Sequence, residues 1–122
     1  MDNGERKMLD QNESAVKFKQ SETFRAWLRE LDASVRPAVN HRIDRAKNGN
    51  FGEHKLLKDT GGIWEMVMDT GPGYRLYYCH EEGVIYWLLV GGTKKQQARD
   101  VDRAMAIRDD LRRNGYGKAH EV

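Results

Sequence analysis

Cysteine, proline and long apolar runs are scarce in this chain. Its 122 residues contain one cysteine and two prolines. The lone Cys79 cannot close an intramolecular disulfide, so the fold must rest on its core. No apolar run approaches the roughly 20 residues that a membrane helix needs. No apolar block followed by a small-residue cleavage site marks a secretory signal. These absences point to the cytoplasm and away from a membrane. No His, Cys, Asp and Glu spacing matches a metal site. Gly91-Gly92 precedes a helix but lacks the longer phosphate-loop signature. No serine nucleophile motif is present, and no cofactor is expected.

What the chain does have is a balance of apolar and charged residues, 39% and 33%. That fits one domain with a small core. Residues 15–113 hold 18 Lys and Arg against 14 Asp and Glu, a mildly basic body compatible with a nucleic-acid partner. Residues 1–14 are polar without lasting periodicity and read as a disordered extension. Residues 114–122, with Gly115 and Gly117, read as a flexible tail.

Within the body, Val16 and Phe18 alternate with Lys17 and Lys19 as a half-buried strand. Ser21 offers an N-cap. Phe24, Trp27, Leu28 and Leu31 then recur at the spacing of one helix face. Pro37 belongs in the first turn of a second helix starting near Ser34, with Val35, Val39, Ile43 and Ala46 as its buried stripe and Arg42 off it. Gly49 is its C′ residue. Strands follow over 63–69, 74–80 and 84–90, joined by short turns. The last is apolar on both faces and should be central. A final helix is predicted over 96–113. The order is β-α-α-β-β-β-α, an α+β fold.

The Gly71-Pro72-Gly73 turn sets Arg75 and Tyr77 on one face of the strand it opens. A guanidinium beside a phenol suits a phosphate group and a stacked base. A hairpin whose Arg is merely solvated, or paired with Glu65, would read the same way. Lys94, Lys95 and Gln97 stand where the last strand meets the last helix, whose N-terminal dipole favours anions. His54 sits beside Lys55 in a loop, in the range for proton transfer near neutrality.

The runs Phe24-Arg25-Ala26-Trp27-Leu28, Gly49-Asn50-Phe51-Gly52-Glu53-His54-Lys55, Trp64-Glu65, Gly71 to Tyr78, and Leu88 to Gln97, then Asp100 and Ala104, occur in an order that resembles the RelE/ParE superfamily of toxins, HigB-like or addiction module killer subgroup. The resemblance spans about residues 16–107. It implies a twisted, mainly antiparallel sheet of about four strands, with a helical hairpin on one side and an opposite concave face that can hold RNA. It implies a metal-independent endoribonuclease that cleaves mRNA on the ribosome, using the RNA 2′-hydroxyl as nucleophile. Arg75 would clamp the scissile phosphate, with Lys94, Lys95, Tyr77 and His54 as further catalytic candidates. Lys55, Lys58, Tyr74 and Gln97 would contact RNA. The implied partner is a small antitoxin of helix-turn-helix type, through which alone promoter DNA would be bound. Glu65 and Val67 depart from the pattern, because many relatives carry cations there. A non-catalytic, gyrase-binding protein like ParE, or an inactive antitoxin-binding homologue, is the alternative.

Overall fold

A computed structural model describes residues 16–81, 85–114 and 119–122. The extension expected over residues 1–14 and the turn at Glu82-Gly83 lie outside them. The chain runs β1 (Lys17–Gln20), α1 (Glu22–Glu30), α2 (Arg36–Lys47), β2 (His54–Leu56), β3 (Trp64–Met68), β4 (Tyr74–His80) and β5 (Ile85–Thr93). A single 3₁₀ turn (Lys94–Gln96) then leads into α3 (Gln97–Arg113), and β6 (His120–Glu121) follows. The sheet order is β2-β3-β4-β5-β1-β6, antiparallel throughout except for the β1–β5 pair.

Each expected element is present, and two short edge strands are added. The Gly-Asn-Phe-Gly loop continues into β2, which pairs with β3. Within the segment read as a flexible tail, His120 and Glu121 pair with β1. Three and two residues are too few to show a period of two.

The sheet is covered on both faces. On one, α1 and α2 bury Phe24, Val39, Ile43 and Ala46 against Phe18, Met66, Leu76, Tyr78 and Leu88. Ser21 caps α1 as expected: its hydroxyl accepts the Phe24 N–H at 3.0 Å and donates to the Leu89 carbonyl at 2.7 Å, tying the helix start to the central strand. Arg42, read as lying off the α2 stripe, is buried instead. Its guanidinium donates to the Glu53 and Val67 carbonyls at 3.0 and 3.3 Å, fastening α2 to the end of β3. On the other face, α3 packs Ala104 and Leu111 over Ile63, Tyr77, Cys79, Trp87 and Leu89. On that face α3 closes over β4 and β5, and the part beside β2 and β3 stays accessible, as does Lys17 on β1.

Candidate nucleic-acid interface

Alternation places Glu65, Val67 and Arg75 on the face that α3 shares. Val67 lies opposite Arg75, and Glu65 opposite Tyr77. The Gly71-Pro72-Gly73 turn brings the chain into β4, with φ of 57° at Gly71 and 78° at Gly73, values that favour glycine. The Gly73 carbonyl accepts the Lys94 N–H at 2.8 Å, so the turn and the start of the 3₁₀ turn are locked together.

The result is a solvent-open depression of about 350 Å³ lined by Glu53, His54, Lys55, Glu65, Val67, Arg75, Lys94 and Gln97. Arg75 is only 9% exposed, and its Nε stands 3.9 Å from Glu65 Oε2. Gln97 Nε2 donates to the same oxygen at 2.7 Å. Glu65 is buried, so this arrangement braces the Arg75 side chain from behind while the guanidinium borders the depression. Lys94 and Lys55 are exposed at the rim. Three cations face two carboxylates here, a weaker positive field than three cations alone would make.

Of the residues singled out from sequence, Arg75, Lys94, Lys55, Gln97 and His54 border this depression. The others do not. Lys95 and Lys58 are exposed outside it. Tyr74 lies on the opposite face, edge-on to Trp27 at 6.4 Å between ring centroids. Tyr77 does share the Arg75 face, but it is fully buried within the cluster beneath α3. Burial, and then the neighbouring Glu65 carboxylate, push its phenol well above the usual range. It can neither stack on a base nor lend a proton near neutrality. His54 borders the depression, yet its ring packs on Phe51 and Trp64, each at 5.6 Å, within the aromatic group on the α2 face. Glu53 was not singled out, and β2 is what brings it to the rim.

Among the described residues no group of His, Cys, Asp and Glu is arranged to hold a metal ion. No helix among them is long and apolar enough to cross a membrane.

A mixed sheet with an N-terminal helical hairpin on one face, a C-terminal helix on the other and a cationic hollow beside that helix defines a RelE-like fold. A double arginine-to-alanine mutant of the E. coli toxin RelE in the free state superposes with a TM-score of 0.61 at 20% identity, covering 77% of this chain and 97% of that one. The family model for phage-derived Gp49-like proteins matches residues 26–109. An uncharacterized Haemophilus influenzae protein is 37% identical over 97 residues, 79% of this chain and 96% of its own length. The chain belongs to the Gp49-like family, a RelE/HigB-like branch of the RelE superfamily.

Proposed function

We propose that this protein is the toxin of a toxin–antitoxin module and an endoribonuclease acting on mRNA. The observation that carries the reading is the convergence of Arg75, Lys94, Lys55 and Gln97 on one open depression. Such a site binds a phosphate and compensates charge growing on it. In the reaction the RNA 2′-oxygen bonds to phosphorus and the 5′-oxygen leaves. The products are a 2′,3′-cyclic phosphate and a 5′-hydroxyl end. Arg75 neutralises the equatorial oxygens, and Lys94 holds the adjoining phosphate. The His54 ring faces away, so the 2′-hydroxyl proton passes to the exposed carboxylate of Glu53 or to water, and the leaving 5′-oxygen takes its proton from water. The ribosome is the proposed setting, and a helix-turn-helix antitoxin the proposed partner.

Glu65 and Val67 favour a second reading. They leave the strand beside Arg75 without a further cation, as in a toxin that binds a target without cleaving RNA. Induced expression, with primer extension on abundant mRNAs and a parallel assay of plasmid supercoiling, separates the two. New 5′ ends within coding regions, absent with Arg75→Ala, support the nuclease. Growth arrest with intact mRNA and altered supercoiling supports the binding toxin.

A further inference from the structure

A second hollow opens on the opposite face, at the end of the sheet where α2 gives way to the loop carrying Phe51. It is lined by Phe51, His54, Trp64, Tyr78, His80 and Tyr86. Six rings from four separate segments converge there. His80 lies flat on Tyr86, with centroids 4.3 Å apart and 9° between planes. Phe51 packs on Tyr78 and Tyr86 at 5.7 and 5.1 Å. Trp64 packs on Tyr78 at 6.3 Å. Burial holds the Tyr78 phenol well above its usual range, so it stays neutral. A core needs no solvent-open cup of this kind, because an apolar cluster gains by closing over its rings. Here Phe51, Trp64 and Tyr86 remain half-exposed, and His54 and His80 are exposed at the mouth.

We infer that this aromatic cup is a stacking site for one base of single-stranded RNA, separate from the Arg75 depression. The inference rests on the nuclease reading above. The hollow of about 80 Å³ is smaller than the roughly 150 Å³ cavity that encloses benzene. A planar ring therefore stacks at its mouth and leaves sugar and phosphate in solvent. Stacking on aromatic rings accepts any base, and the exposed His54 ring, whose Nδ1 meets the Gly52 carbonyl at 2.8 Å, presents its Nε2 to a base edge. The route between the hollows is short. Edge strand β2 separates them, and His54 borders both. Lys55, the next residue, carries its charge on the depression side. A strand held by its phosphates at Arg75 and Lys94 can pass over β2 at Lys55 and set a base against Trp64. An extended RNA fits this path, whereas a free nucleotide would reach only one hollow.

The test uses the full chain and a short 2′-O-methyl oligouridine, which lacks the attacking hydroxyl. Affinity is read by fluorescence anisotropy for the wild type, Trp64→Leu, His80→Ala and Arg75→Ala. Photocrosslinks from a 5-iodouridine version are mapped on the wild-type protein. We expect Trp64→Leu to weaken binding about ten-fold, as the loss of one stacked base does, with crosslinks at Trp64, Tyr86 or His80. Binding that Arg75→Ala weakens but Trp64→Leu and His80→Ala leave unchanged, with no crosslink in the cup, would overturn the cup and spare the nuclease reading. Failure of the wild type to bind the RNA would also overturn the cup, while the nuclease reading stands or falls on the primer-extension result. The wild-type crosslinks and the exposed His80 keep the test decisive if Trp64→Leu folds poorly.

Discussion

Arg75 and Glu65 show how one side chain can serve stability and chemistry at once. The guanidinium stands 3.9 Å from a carboxylate that is almost wholly buried. Removing Arg75 alone leaves that carboxylate with Gln97 as its remaining partner in the depression. Arg75→Ala should therefore cost about 2 kcal/mol of stability, the usual result of stranding a buried charged acceptor. Adding Glu65→Gln removes the stranded charge and should return much of that loss. Growth arrest should stay absent in both variants, because neither restores a cation at the phosphate. Urea denaturation measures the first effect and induced expression the second. A double variant that regained toxicity would show that Arg75 acts only by neutralising Glu65.

The elements meet on two neighbouring glycines of β5, and each receives a different helix. A Cβ at Gly91 would collide with the Trp27 ring of α1, and one at Gly92 with the Asp100 carboxylate of α3. Successive strand residues point to opposite faces, so this pair lets both helices approach the same strand. Asp100 is fully buried in the first turn of α3, within 3.4 Å of Arg99 and 3.5 Å of Arg103. Gly92→Ala should push that turn outward, cost about 2 kcal/mol as overpacking does, and displace Lys94 and Gln97 from the depression. A lower urea midpoint together with weakened growth arrest would be the result; unchanged values for both would contradict the close packing. The same glycines mark where sequence reading stopped. Helices with a buried stripe and strands of five or more residues announce themselves by period, as do turns rich in Gly and Pro. β2 and β6 are too short for that. The packing of α3 over Tyr77 is a tertiary fact: alternation correctly gave Tyr77 the face of Arg75 but could not say that a helix covers it. The burial of Arg42 is invisible to helical periodicity for a related reason: its partners are carbonyls on a distant loop and strand. Arg75, Lys94 and Gln97 were legible because a turn and a helix start fix their places locally. His54 was located correctly in the chain, but its ring lies on the other side.

At the scale of the whole molecule, three consecutive residues of β4 bind the fold to a protonation state. Tyr77, Tyr78 and Cys79 are all buried in the middle of the sheet. Burial is the first cause of a raised pKa in each: the Cys79 thiol goes from 9.0 to about 12, and both phenols rise well above 10.0. In the unfolded chain these groups release their protons near their ordinary values, while the native protein retains them. Above about pH 9 the unfolded state thus binds fewer protons than the native state, and stability falls as pH rises. The contribution is fully present below pH 9 and is lost progressively toward pH 12 and beyond. Urea midpoints should accordingly hold level from pH 7 to 8.5 and drop steeply between pH 9.5 and 11. Tyrosinate absorbance from Tyr77 and Tyr78 should appear only with unfolding, and Cys79 should resist thiol reagents until then. Tyr78→Phe removes one of the three groups and keeps its ring, so the alkaline drop should become shallower. A flat profile to pH 11 in the wild type would mean that water reaches the centre of β4, and the two-faced packing that builds the depression would have to be abandoned.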